Sequence, residues 1–154
     1  ALGCLMAGTI SRLVRKAVTD GLADLPALKD QGVQVTYSWD SAAISRVMVF
    51  TASPRAETPP AALRSGRNHR DETGEFRLVV LVVAPGGDAF DAESRLDEFA
   101  PVVEEWLADR KSNELGVPGL QTLTVVAWEG NEGRADEGWA SERIYTVRYT
   151  ARLT

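Results

Sequence analysis

Scarcity shapes this chain: among 154 residues there is one cysteine, Cys4, and one histidine, His69. A lone thiol excludes an intramolecular disulfide and a thiolate metal cluster, and is compatible with assembly in a reducing cytoplasm. His69 has no cysteine near it in sequence, and neither HExxH nor CxxC spacing occurs, so no zinc ligand set is in view. Serine chemistry is equally unsupported, because GxSxG is missing and no triad partner stands near His69 in sequence. The turn Pro85-Gly86-Gly87-Asp88 lacks GxGxxG and a GK[ST] ending, and Asp88 would repel a phosphate, so it reads as a tight turn with a helix cap. Adjacent acids such as Asp71 with Glu72, or Glu104 with Glu105, read as solvated pairs. No apolar run approaches the roughly 20 residues needed to span a bilayer. An excess of positive charge is also lacking: the formal net charge is −5, which argues against a general nucleic-acid binder. These absences point to a protein without catalysis, cofactor or metal, and without a membrane anchor.

Hydrophobic content of 44% and charged content of 25% are ordinary for a globular protein. A chain of this length forms one domain, residues 1–154, and buries about 70% of its unfolded surface. Its organising stretch is Phe76 to Ala84, FRLVVLVVA, closed by Pro85-Gly86-Gly87; such a run between turn signals predicts a central strand buried on both faces. The N-terminal ALGCLMAGTI has no basic leader and reads either as a lead-in to the first helix or as a cloning remnant. Ile10, Leu13, Val14, Ala17, Val18 and Leu22 recur at helical spacing, capped by Thr9 or Ser11 and ending near Asp24, with Arg12, Arg15 and Lys16 toward the other face. Val33, Val35, Tyr37 and Trp39 then alternate with polar residues, predicting a half-exposed strand with core aromatics. Ser45 to Thr51 is close enough to pair back on it as an antiparallel hairpin. Ala92, Leu96, Phe99, Val103, Trp106 and Leu107 form a second helical stripe, kinked or divided at Pro101. Leu120–Trp128 and Ser141–Leu153 read as strands separated by a polar turn region, Glu129–Gly138. Arg148 and Arg152, on the polar side of the last strand, read as facing solvent, an interface or a lumen, solvent being preferred. The order α-β-β-loop-β-α-β-β predicts an α+β fold: a mixed, largely antiparallel sheet of about five strands with two main helices on one face.

Charge is unevenly distributed. Ser53 to Arg70 carries Arg55, Arg64, Arg67 and Arg70 against Glu57 alone, whereas Pro85 to Arg110 carries eight acids against Arg95 and Arg110. The basic stretch contains Pro54, Pro59, Pro60 and Gly66 and predicts a loop at about 53–71, longer than the roughly 12 to 15 residues a compact domain leaves without structure. The two regions are either unrelated solvated surfaces or mating surfaces of different copies.

Several short segments carry a resemblance: Tyr37-Ser38-Trp39, Gly66-Arg67 with Arg70-Asp71-Glu72, Pro85-Gly86, Arg95, Asp136-Glu137-Gly138, and Ala151-Arg152-Leu153. In order and spacing they resemble the tail terminator proteins of long-tailed phages, in the form found in phages of actinobacteria. The family commonly has Pro after the Trp of the first strand, where this chain has Asp40. The resemblance implies a virion protein, assembled in the host cytoplasm, that forms a hexameric ring at the head-proximal end of the tail. Such a ring ends polymerisation of the tail tube protein and meets a neck or head completion protein, with DNA only passing through. With the charge pattern, it makes Arg55, Arg64, Arg67, His69, Arg70, Asp71 and Glu72 the candidate interface with a ring neighbour or the tube. Three other readings remain open: another head-tail joining protein, a ring protein of a related injection device, and a small α+β enzyme with a pocket joining His69 to a serine or carboxylate.

Overall fold

The computed structural model describes residues 9–39, 46–57, 70–109, 112–135 and 138–153. Helix α1 (Ser11–Ala23) and the single turn α2 (Pro26–Lys29) precede strands β1 (Gln34–Thr36), β2 (Val47–Glu57) and β3 (Arg70–Pro85). Helix α3 (Ala89–Asp109), a 3-10 turn (Ser112–Leu115), and strands β4 (Leu120–Ala135) and β5 (Gly138–Leu153) follow. Among the described residues the strands form one five-stranded sheet of order β1-β2-β3-β5-β4. The fold is α+β, with a mostly antiparallel mixed sheet, and β3 lies at its centre as the sequence indicated.

Strand alternation divides β3 cleanly. Phe76, Leu78, Val80 and Val82 are fully buried in the main core, with Tyr145, Val147, Tyr149 and Ala151 of β5 beside them. Val14, Val18 and Leu22 of α1 and Leu96, Phe99, Val103 and Leu107 of α3 close the same cluster, so both main helices cover one face. The opposite face holds only a small patch, Met48, Phe50 and Val79 with Leu81 and Ile144 against it. Beyond that patch the surface is polar. Arg77 pairs with Glu129 at 3.5 Å, and Thr122 and Thr150 share a hydrogen bond of 2.6 Å. The central strand is therefore sealed on its helix side and half-covered on the other.

Several local expectations change. β1 pairs parallel to β2, with Gln34 opposite Met48 and Thr36 opposite Phe50, not as an antiparallel hairpin. Period-two alternation marks a strand and its faces but carries no information on its partner's direction. Here the backbone N–H of Thr51 reaches the Tyr37 carbonyl at 3.2 Å, so the chain continues alongside β2 past Thr36 instead of turning back. The alternation also breaks before Trp39, which is 51% exposed and meets Phe50 edge-on at 5.4 Å, on the far side of the sheet from the helices.

Arg15, expected outside, is buried. Its Nε donates to Thr51 Oγ1 at 2.8 Å and its guanidinium lies 4.2 Å from the Tyr37 ring centre, so the charge is met by a hydroxyl and an aromatic face. Leu13, expected inside, is 38% exposed. Helix α3 runs unbroken through Pro101, which is on its exposed side. The Asp97 carbonyl freed by the missing N–H can therefore be hydrated. The cap before α3 is reciprocal: Asp91 N–H donates to Asp88 Oδ1 at 2.9 Å and Asp88 N–H to Asp91 Oδ2 at 3.1 Å, a capping box built from two aspartates.

Two stretches taken for loop and turn are strand. Residues 53–57 extend β2 and residues 70–71 begin β3, joined through Arg55 opposite Glu75 and Glu57 opposite Thr73. Pro54 hid this extension. The strand accommodates it by a bulge between Ala52 and Arg55, with Ser53 at φ 51°, a backbone region that is costly for a residue with a side chain. The polar run from Glu129 to Ala135 likewise belongs to β4, paired with β5 down to Ala135 opposite Gly138. Its Gly, Asn and Glu content resembles a turn, but β5 offers a full row of partners.

Candidate functional site

The arginine-bearing stretch leaves the sheet at Glu57 and re-enters at Arg70, on neighbouring antiparallel strands. Arg64, Arg67 and His69 lie outside the described residues, and Arg70 is described in its backbone alone, opposite Leu153. Arg55 is exposed on the polar sheet face, its Nε 3.6 Å from Glu75 Oε1 and an Nη 3.8 Å from Glu57. Arg148, across β5, approaches the other Glu75 oxygen at 3.5 Å. Asp71 accepts from Arg152 Nε at 2.9 Å. Such exposed pairs contribute little to stability, so their main effect is to fix the side chains that flank the stretch. Arg148 and Arg152, both exposed, are thus also part of this rim.

Glu72 departs from its expected role. It is 3% exposed and points inward, where its Oε2 accepts from Tyr149 Oη at 2.8 Å, Thr9 Oγ1 at 2.8 Å and the Ile10 N–H at 3.3 Å. It is an internal anchor joining the start of α1 to β3 and β5, not a contact-surface residue. The signal was present in the sequence: counted back from Phe76 by twos, Gly74 and Glu72 fall on the core face. Gly74 gives the Tyr149 ring room, because a Cβ there would fall within the van der Waals envelope of Tyr149 Cζ and Oη.

Burial pushes the Tyr149 phenol up to about 12, the Glu72 carboxylate adding to the effect against an opposing hydrogen bond from Thr9. Burial also raises Tyr145, whose Oη donates to Glu104 Oε1 at 2.6 Å. A phenol with a raised folded-state pKa holds its proton more tightly in the fold. Its stabilisation is complete below the unfolded value of about 10 and is lost as pH rises through the folded value. Two of the three tyrosines should therefore ionise late in a tyrosinate absorbance titration, and stability should fall between about pH 10 and 12. Tyr149→Phe should flatten that fall; an unchanged pH profile would contradict it.

A second cluster was not anticipated. Arg143 of β5 reaches Asp97 of α3 at 3.1 Å and Glu104 at 3.9 Å, and its guanidinium lies 4.6 Å from the ring centre of Trp128 on β4. Trp128 is 59% exposed. Sequence reasoning took it for the end of a strand, and only the pairing of Trp128 opposite Tyr145 and Gly130 opposite Arg143 brings these groups together. The carboxylates belong to the acidic helix that the charge pattern singled out.

An open groove of about 600 Å³ runs along Leu13, Ala17, Gly21, Trp106, Leu115 and Val117, and Lys16 at its edge is tied to Asp20 at 2.6 Å. Among the described residues no group of three or more His, Cys, Asp or Glu side chains is placed to hold a metal ion, and no helix is long and apolar enough to cross a membrane. No protein-family model matches the chain, and no match was found among curated proteins.

Proposed function

We propose that this chain is a structural subunit of a phage tail: a tail terminator that assembles into a hexameric ring on the tail tube, ends its growth and offers a surface to the neck. Its work is binding, without catalysis or cofactor, and its place is the head-proximal end of the tail in the virion. The ring rests on the tube protein below, meets a head completion protein above, and lets DNA pass.

One observation carries this reading. Two segments of the terminator-like pattern, Arg70-Asp71-Glu72 and Ala151-Arg152-Leu153, lie far apart in sequence yet pair residue for residue: Arg70 with Leu153, Asp71 with Arg152, Glu72 with Ala151. Asp71 and Arg152 are also joined side chain to side chain. The pattern thus describes one corner of the sheet, the corner from which the arginine-bearing stretch departs. In a cyclic ring every interface joins two different surfaces, so a basic surface and an acidic one on the same chain can mate repeatedly around the circle.

The test combines oligomeric mass and negative-stain images with a tube-growth assay. Purified chain added to polymerising tube protein should arrest elongation and appear as six-membered rings on tube ends. Arg67→Glu with Arg70→Glu should abolish both. Unarrested tubes in the presence of intact, folded chain would refute the reading. Capping by the doubly substituted chain would remove the arginines from it.

A further inference from the structure

Among the described residues, Trp128 combines exposure with fixation. Its ring is 59% exposed, and the Arg143 guanidinium 4.6 Å from the ring centre is held by Asp97 at 3.1 Å. Glu104 approaches the same guanidinium at 3.9 Å and accepts from Tyr145 Oη at 2.6 Å. Asp97 and Glu104 nonetheless keep side-chain exposures of 58% and 45%. Arg143 takes one face of the ring, and the exposed remainder can receive a second planar cation, with the two part-exposed carboxylates outnumbering Arg143 and able to accept further N–H groups. Trp, Tyr and Arg in a fixed arrangement are also the residue types that dominate binding energy at interfaces.

Resting on the ring reading above, we propose that Trp128, with Asp97 and Glu104, is the acceptor for Arg67 of a second copy of this chain. Charge complementarity selects this occupant. The acceptor lies against a helical region with eight acids and two arginines, and the 64–70 stretch carries three arginines and no acid. Geometry makes the contact intermolecular. Trp128 stands opposite Tyr145, and Tyr145 opposite Leu78, eight residues along β3 from Arg70. At the usual strand rise and spacing this puts Trp128 about 28 Å from Arg70. Arg67 is three residues from Arg70 and so lies within about 11 Å of it by contour length. An arginine at 67 cannot close that gap within its own chain, whereas the neighbour in a ring presents its β4 edge independently. The acceptor then belongs to the subunit beside it, and the tube below contacts other residues.

Site-specific cross-linking tests this directly. In a Cys4→Ser background, one chain carries Arg67→Cys and another Trp128→Cys, and the two are mixed on growing tube ends under mild oxidation. The expected result is a covalent dimer that needs both cysteines, with chains carrying both substitutions giving a ladder up to the closed ring. Separately, Trp128→Ala should weaken assembly, raising its dissociation constant about tenfold. Its thermal midpoint should match that of the parent, since the side chain is largely exposed. Rings that form and cap tubes without a 67–128 cross-link, and with assembly unaltered by Trp128→Ala, would overturn the acceptor and leave the ring reading standing. If the unsubstituted chain forms no closed oligomer, free or on tube ends, both fall together.

Discussion

Replacing Glu72 with alanine is expected to destabilise the fold by about 3 kcal/mol, because it removes a buried charged acceptor that serves three donors at once. Thr9 is exposed and its hydroxyl can turn to water, whereas the buried Ile10 N–H would lose its acceptor. Tyr149 is fully buried in the core, so its hydroxyl would be stranded. For a chain of this size the loss corresponds to a fall in thermal midpoint of about 6 to 12 °C. Glu72→Gln keeps an acceptor oxygen of similar reach and should cost about half as much. The two variants thus separate the value of the charge from that of the contact. Calorimetry or denaturant titration reads the difference, and a Glu72→Ala midpoint within a degree of the parent would mean that the carboxylate is not the anchor its three hydrogen bonds suggest. If the chain forms the proposed ring, the same variant should lower assembly indirectly, since Glu72 lies near the start of β3, where the arginine stretch re-enters the sheet.

Gly74→Ala should be nearly as damaging, at about 3 kcal/mol, by forcing the Tyr149 ring off β3 and breaking its bond to Glu72. Strand propensity alone would favour alanine over glycine there, so the sign of the effect isolates the steric term. Tyr149→Phe would not relieve the clash, because the ring carbon Cζ remains in place. Tyr149→Val would, so Gly74→Ala should cost less than about 1 kcal/mol in that background. Equal costs in both backgrounds would show that the ring is free to move aside.

Much of this architecture can be read from residue order. The Val and Leu run of β3 announces a strand with helices over it. The alternation through Tyr145, Val147, Tyr149 and Ala151 gives the faces of β5, and the stripe from Ala92 to Leu107 gives the buried side of α3. These are properties of single elements, and periodicity encodes them. Relations between elements are less legible. The parallel pairing of β1 with β2 depends on direction, which a period of two does not hold. Bulges also interrupt the count, at Ala52 to Arg55, where strand was disguised as loop, and at Val125 to Ala127, within a stretch already legible as strand. Of the candidate interface, Arg55 and Asp71, expected in a loop, lie instead on strands β2 and β3, paired with Glu75 and Arg152. Glu72 was misread because a charged residue beside another suggests a surface, although its parity placed it in the core. Trp128 and Arg143 escaped notice because they are joined only through the β4–β5 pairing and the overlying helix.

The sheet order also governs when the fold can form. β5 is the last strand in sequence, yet it lies between β3 and β4, and its pairing with β3 runs from Arg70 opposite Leu153 to Pro85 opposite Gly138. The widest of these contacts joins residues about eighty apart in sequence. Contacts of that span slow folding, because loop closure precedes any gain from pairing. During synthesis β3 would wait with an open edge until β5 has emerged, so the sheet completes only after nearly the whole segment has left the ribosome. Until its last strand is made, the fold therefore offers no completed sheet to any partner.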